Sequence, residues 1–370
     1  MKQARLFIAS YSLPKASYRI EVTKKRFMEI DRIQEGIDYD RYLENTKDYQ
    51  FTGSQFADER GCTKGALSPN DEFFAVSGNS GTSSVFKIEN LKKYMTLKGH
   101  TDRVNCINFH PESLVSLPPI APNIATCSSD TTVKLWTFNS EWEDQKSVTY
   151  KGHEERVNNV EFHPTGRFIA SSSHDNTWRL WDVEYKKELL VQDGHITHVH
   201  PISFQPDGAL FASGDLAGIG IIWDLRSGRS IMTLQGHVKR MISIKFSKNS
   251  YQVASGSDDN TVKIWDLRKK SCIYTVPAHS KTVSDICFEN TDAKFMLTCS
   301  YDSSFKMWNN RDWSMVKKFT SISDGKFTSI SLTKDNQKIL TTSLDRTIRI
   351  WTFQKIEVKS SQESEVLNNN

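Results

Sequence analysis

Histidine, serine or threonine, aspartate and tryptophan recur in this sequence at spacings that would suit nucleophilic catalysis. Asp130, Asp175, Asp259, Asp302 and Asp345 each stand six positions ahead of a tryptophan, namely Trp136, Trp181, Trp265, Trp308 and Trp351. His100, His153, His195, His237 and His279 lie further upstream, and Ser or Thr residues precede the aspartates by a few positions. A hydroxyl, an imidazole and a carboxylate are the parts of an acyl-transfer triad, in which the imidazole takes the hydroxyl proton and the carboxylate orients the ring. An enzyme needs that constellation once. Its recurrence points instead to a hydrogen-bond network inside a repeated unit, with the indole N–H as a fourth member. Such a set satisfies its own buried polar groups without a substrate. Ala217, Ser80 and Ser323 depart from the pattern and predict locally weaker units.

Other chemistry is thinner. No Gly-x-x-x-x-Gly-Lys-Ser/Thr loop and no His-Glu-x-x-His pair occurs. His198 and His200 could share a metal by spacing alone, but they follow His195 into a strand and read better as rim residues. Cys62, Cys106, Cys127, Cys272, Cys287 and Cys299 are scattered, with no Cys-x-x-Cys pair. They read as reduced thiols of a cytosolic or nuclear protein, packed as small hydrophobes. No cofactor, metal site or enzymatic activity follows from these residues.

The elements that must position the recurring set are fixed by the tryptophans. Trp136, Trp181, Trp223, Trp265, Trp308 and Trp351 are separated by 45, 42, 42, 43 and 43 positions. Gly-His pairs precede four of them at Gly99-His100, Gly152-His153, Gly194-His195 and Gly236-His237, with Ala278-His279 as a variant. Literal Trp-Asp pairs stand at Trp181, Trp223 and Trp265. A period of about 40–45 residues with Gly-His and Trp-Asp signatures identifies a WD40 repeat. Within one unit, alternating apolar residues predict strands at Met241–Phe246, Gln252–Gly256, Thr261–Trp265 and Cys272–Val276, separated by turn residues. Four such strands make a propeller blade.

Phe86 stands where the first blade's tryptophan would be, 50 positions before Trp136, with the excess placed in an insertion at Glu112–Pro122. The last blade begins near Ser323. The fold expected is therefore all-β, a seven-bladed WD40 β-propeller with a short, partly helical N-terminal extension. Residues 1–47 would form the extension, 48–357 the ring and 358–370 a disordered tail. Tyr49 to Thr52, within a closing segment 48–54, should join the last blade, since an open ring leaves two unpaired sheet edges.

At 370 residues the chain would otherwise suggest two or three domains of ~150 residues, but the repeat overrides that prior. No apolar run approaches the ~20 residues of a membrane span, and no signal peptide is read at Leu6–Ala9 ahead of Pro14. A net charge of +4 permits an acidic or nucleic-acid partner without requiring one.

Binding is what remains. Three residues after each histidine stand Arg103, Arg156, His198, Arg240 and Thr282, with Lys326 equivalent in the last blade. Repeat symmetry places them on one rim near the channel, where a basic ring would suit acidic side chains or phosphates; ordinary solvated loops are the alternative. Tyr301 is the clearest aromatic there for stacking an RNA base. Residues 1–34 hold 8 basic and 3 acidic side chains. Partly helical spacing from Ala16 to Leu43 predicts a short amphipathic helix that must bury its apolar face on the ring or on a partner. Arg5, Leu6, Phe7, Tyr11, Lys15 and Arg19 are the binding candidates in this segment. Segment and rim together are expected to hold one helical partner.

The stretch Ala4 to Ala16, followed by the ring, resembles the pre-mRNA processing factor four family of the U4/U6 small nuclear ribonucleoprotein. So do His163–Phe168, Trp178–Asp182, Asp224–Arg229 and Cys272–His279. The resemblance implies a non-catalytic nuclear scaffold of the U4/U6 and U4/U6.U5 particles, partnered with a processing-factor-three-like protein. It leaves direct contact with U4/U6 RNA open. The family's small splicing-factor motif finds no match here, which weakens the implied cyclophilin contact. A second class remains, a substrate receptor of a cullin-type ubiquitin ligase, because Trp223-Asp224-Leu225-Arg226 and Trp265-Asp266-Leu267-Arg268 fit the W-D-x-R pattern of such receptors. A G-protein β-like scaffold is disfavoured, since no long N-terminal heptad helix is read.

Overall fold

The computed structural model describes residues 1–29, 32–115, 123–138, 146–321 and 324–353. Alternating apolar positions and turn residues produce seven four-stranded antiparallel sheets, one per repeat. In the fifth blade the strands run Met241–Phe246, Gln252–Ser257, Val262–Asp266 and Ser271–Val276, closely matching the sequence reading. Burial falls outward through each blade. The second strand of the third blade, Phe168–Ser173, is buried throughout, whereas its outermost strand, Lys187–Gln192, is largely exposed. Neighbouring blades cover both faces of the inner strands, so these carry continuous apolar or small residues instead of an alternating pattern.

The blades are also tied edge to edge around the channel. In four of them the second residue of the innermost strand donates a side-chain hydrogen bond to the next blade. Thr63 reaches the Val104 carbonyl (2.6 Å), Asn105 that of Val157 (2.7 Å), Asn158 that of Val199 (3.0 Å) and Ser284 that of Phe327 (2.7 Å). The result is a girdle of polar links inside an apolar ring.

Closure is made by β1 (Tyr49–Phe56), which pairs antiparallel with Thr347–Phe353 of the seventh blade. Tyr49 lies opposite Phe353, Phe51 opposite Trp351 and Phe56 opposite Thr347, with a bulge between Phe51 and Gly53. Tyr49 is buried and its hydroxyl donates to the Asn336 carbonyl, while the Phe51 ring meets Trp351 edge-on at 5.5 Å.

The extension is helical, as expected, and more fully so than the partly helical spacing suggests. Two helices occupy nearly all of it, α1 (Lys2–Glu29) and α2 (Arg32–Asn45), and α1 passes through Pro14. A proline inside a helix costs a hydrogen bond and crowds the preceding turn, which is why the sequence reads as broken there. Docking onto the propeller offsets that cost. Ala4, Ile8 and Ser12, one helical turn apart, are all buried, and Ile8 and Ala4 join a core with Phe168, Trp178, Phe211 and Trp223. Tyr39 and Leu43 of α2 join Phe295, Phe305 and Trp351. A long N-terminal helix therefore exists after all, but it lies along the ring and does not stand off as a coiled coil. The start of the last blade at Ser323, part of the 112–122 insertion and the tail expected at 358–370 fall outside the described residues.

Candidate functional site

In four blades the recurring set assembles into a relay. His153 Nδ1 lies 2.7 Å from Asp175, His153 Nε2 2.7 Å from Ser171 Oγ, and the Trp181 indole N–H donates to that same oxygen at 2.8 Å. His100, Thr126, Asp130 and Trp136 repeat this, as do His237, Ser255, Asp259 and Trp265, and His279, Thr298, Asp302 and Trp308. Indole can only donate and carboxylate can only accept, so the direction is fixed: tryptophan to hydroxyl, hydroxyl to histidine, histidine to aspartate. Burial opposes the carboxylate charge. Even so, hydrogen bonds from His153 and Thr177 hold Asp175 well below the usual range, and Asp130 and Asp302 are held likewise.

These are the hydrogen bonds of a catalytic triad without its reactivity. Ser171 is fully buried, its oxygen already accepts from Trp181, and no substrate carbonyl can reach it. The Gly-His signature follows from the same packing. A Cβ at Gly152 would stand 2.9 Å from the Trp181 ring, and one at Gly194 would stand 2.8 Å from Trp223, so glycine lets the chain pass over the ring edge. Replacing His153 or Asp175 with Ala strands a buried polar partner. The expected cost is about 1–3 kcal/mol in a denaturant melt, with partner binding retained at low temperature. Lost binding in a fully stable protein would reopen a direct role.

The departures are compensated more fully than the sequence suggests. Where Ala217 breaks the spacing, Asp215 two residues earlier accepts from His195 at 3.2 Å. In the first blade Phe86 is buried and Asp58, outside the repeat pattern, accepts from Ser80. In the seventh, Arg349 pairs with Asp345 and reaches Ser321, and the Trp351 indole bonds Thr341 at 3.3 Å. His200 is not on the rim. It sits one residue into the innermost strand, at the girdle level, and burial lowers its pKa to about 4.

The surface residues divide between the two ends of the ring. Turns joining first to second and third to fourth strands lie at one end, and α1 and α2 dock there. Arg19 pairs with Asp207 at 2.7 Å and Arg26 with Asp292 at 2.7 Å. The Phe7 ring meets Phe168 edge-on at 5.9 Å under the Arg167 guanidinium. Tyr11 lies 3.4 Å from the Pro164 carbonyl and beside His163, and Lys15 bonds the Tyr11 hydroxyl. Arg5 covers Gly228, whose φ of +73° and lack of a Cβ make room for the guanidinium. Arg5, Tyr11 and Arg19 are thus occupied with the propeller. Leu6 is 71% exposed and Phe7 sits at the margin of exposure, leaving both open to a partner.

Arg103, Arg156, His198, Arg240 and Lys326 lie at the opposite end and are exposed. The two candidate groups therefore lie at opposite ends of the ring, so a helical partner held by both, as the sequence suggests, would have to span it. The W-D-x-R arginines are engaged locally: Arg226 pairs with Asp224 at 3.0 Å, and Arg268 pairs with Asp266 at 2.8 Å and stacks on Tyr251. Tyr301 is half-buried beneath Lys326. Among the described residues no cluster of His, Cys, Asp or Glu could hold a metal ion, and no helix is long and apolar enough to cross a membrane.

A ring of seven such blades defines a class, and the sequence matches it directly: residues 91–137, 144–182, 228–266, 270–309 and 313–352 match the WD domain, G-beta repeat. The chain belongs to the WD40-repeat family. Within it, the similarity runs to U4/U6 small nuclear ribonucleoprotein PRP4 of Saccharomyces cerevisiae, 30% identical over 51% of this chain and 40% of that protein. It also runs to human Prp4, 40% identical over 32% of this chain and 23% of that protein. Polycomb protein EED of Chaetomium thermophilum is 33% identical over 29% of this chain and 18% of its own. Each match thus spans less than half of the relative's length.

Proposed function

We propose that this chain is a non-catalytic scaffold of the U4/U6 and U4/U6.U5 small nuclear ribonucleoproteins, acting in pre-mRNA splicing in the nucleus. The similarity to Prp4 proteins of yeast and mammals carries the reading. The saturated, buried histidine networks support a binding role, since they leave no reactive group facing solvent. Purifying the tagged chain from its own cells should bring U4 and U6 RNAs with it. A cullin adaptor recovered without RNA would favour the ligase reading, which the engaged Arg226 and Arg268 do not support.

The partner proposed is a helical segment of a processing-factor-three-like protein, seated on the outer face of α1; a cyclophilin and the RNA itself are further candidates. Leu6, Leu13 and Ile20, seven residues apart, are exposed along one line of that helix, next to Phe7. Apolar anchors supply most binding energy, while peripheral charges tune association rate. Changing Leu6 and Phe7 to Ala is expected to weaken the complex by tenfold or more, on the order of 1.4 kcal/mol. Arg103→Glu with Arg156→Glu should leave that affinity nearly unchanged. The opposite ranking in a titration of both double variants would move the anchor to the far rim.

A further inference from the structure

Two of the scattered cysteines meet inside the second blade. Cys106 lies in the strand Val104–Phe109 and Cys127 in Ile124–Ser128, and the ladder sets them directly opposite each other. Residues in register on antiparallel strands point to the same face, with Cα atoms about 4.5–5.5 Å apart, inside the ~4.4–6.8 Å that a disulfide bridges. Side chains at this place do touch. In the seventh blade the equivalent pair, Ser329 and Thr342, bond hydroxyl to hydroxyl at 2.9 Å. None of the other cysteines lies opposite a thiol: Cys62 faces Gly78, Cys272 faces Trp265, Cys287 faces Leu297 and Cys299 faces Asp285.

We propose that Cys106 and Cys127 form a reversible disulfide when the protein meets hydrogen peroxide, a redox-sensitive site inside the ring. The two thiols are not equivalent. Burial opposes ionisation of both, but at Cys106 a hydrogen bond from Cys127 and the charge of Lys64 outweigh it and hold the thiol below its ordinary range. Burial and the Cys106 sulfur push Cys127 up. Lys64 reaches the waist of the channel from the first blade, its ammonium 3.9 Å from Asp285 of the sixth. One sulfur thus gives up its proton while its neighbour keeps one, the division between an attacking and a resolving cysteine. The Cys106 thiolate attacks one oxygen of the peroxide, the O–O bond breaks, and the other oxygen leaves as hydroxide, which takes up the proton Cys106 released. The Cys127 sulfur then attacks the resulting sulfenic acid. The S–S bond forms, the S–O bond breaks, and the leaving hydroxide carries off the Cys127 proton as water. Two thiols and one peroxide become one disulfide and two waters.

Access selects the oxidant. Cys106 is 2% exposed and Cys127 wholly buried, so a bulky disulfide such as oxidised glutathione has no approach. Lys64 and Ile107, the latter next to Cys106 in the chain, line a channel cavity of about 480 Å³. Hydrogen peroxide, close to water in size, can come that near the sulfur. Oxidation also changes the packing between blades. In its thiol form Cys106 donates to Asn159 Oδ1 of the third blade at 3.0 Å. The disulfide removes that proton and turns the sulfur toward Cys127, which unties one link between the second and third blades. This site stands apart from the splicing reading, which co-purification of U4 and U6 tests on its own.

The test treats the folded full chain with hydrogen peroxide, blocks the remaining thiols with iodoacetamide in denaturant and maps the peptides by mass spectrometry. In the wild-type protein a cross-linked pair holding Cys106 and Cys127, two hydrogens lighter than the sum of its parts, should appear and vanish again with dithiothreitol. Oxidised glutathione at the same concentration should yield roughly tenfold less of it. Cys127→Ser should stop the reaction at a Cys106 sulfenic acid that dimedone captures. Lys64→Gln should slow cross-linking several-fold, and Cys272→Ser should leave it unchanged. Recovery of Cys106 and Cys127 as alkylated thiols, at peroxide doses that oxidise Cys272, would overturn the proposal. So would a disulfide that joins either of them to a different cysteine.

Discussion

A chain lacking residues 1–54 is expected to lose its ring and aggregate. The deletion removes most of β1 and leaves the edge of Thr347–Phe353 unpaired, an open template for association. It also strips Tyr49 from a core where the residue is 2% exposed, and a large buried aromatic alone is worth about 3–5 kcal/mol. Ile8, Tyr39 and Leu43 go with it, so the total rivals the roughly 5–15 kcal/mol that holds a domain folded. Deleting only residues 1–45 keeps β1 and separates the two contributions. That protein should melt lower yet remain monomeric by light scattering. A 1–54 deletion that stayed monomeric with unchanged melting would show that closure contributes little.

Acid should destabilise the fold well above the range where carboxylates titrate. His163 is buried beneath Tyr11, donates Nε2–H to the Gly208 carbonyl at 2.9 Å and accepts from Thr165 at Nδ1; burial lowers its pKa to about 4. Burial, with Lys64 nearby, lowers His200 to about 4. An unfolded histidine titrates near 6.5, so between about pH 6.5 and 4 the unfolded chain binds more protons than the folded one. Stability is therefore full above 6.5 and is lost as pH falls toward 4. Each histidine contributes roughly 2–3 kcal/mol to that loss by pH 4.5. The depressed Asp130, Asp175 and Asp302 add a further loss below about pH 4. Denaturant melts across this range should show the decline, and His163→Gln with His200→Gln should flatten its upper part. An unchanged slope in the double variant would mean that the acid sensitivity lies elsewhere.

The ring was legible because its signature residues are a geometric necessity. Tryptophan, hydroxyl, histidine and aspartate must sit at fixed offsets for the relay to close, and glycine must precede histidine to clear the indole. The substitutes were hidden because a hydrogen bond constrains position in space, not in sequence. Asp215 and Asp58 reach the needed place from other offsets, and Arg349 serves Asp345 from the strand itself. The docked face of α1 was hidden for another reason. Its buried line is Ala4, Ile8 and Ser12, with one large apolar residue among the three, so no hydrophobic period reveals it. Arg19 and Arg26 complete the attachment through Asp207 and Asp292, distant acids that nothing in the local sequence marks as partners. The placement of segment and rim at opposite ends follows from strand direction, which a list of equivalent positions does not convey.

The pairing of β1 with the seventh blade also sets a timetable for synthesis. Tyr49 and its partner Phe353 are about 300 residues apart, so β1 emerges from the ribosome long before the strand that receives it exists. At ~5–20 residues per second the wait is roughly 15–60 s, during which β1 is a strand with no sheet. The blades between can form in order as they appear, each from a contiguous stretch, but the circle stays open until the end. Gln50, Thr52, Ser54 and Gln55 make the waiting strand mostly polar, which limits its tendency to pair with other nascent chains. A messenger truncated anywhere before the last blade therefore yields an open arc with a single unmatched strand at its start, a product for chaperones and proteases to clear.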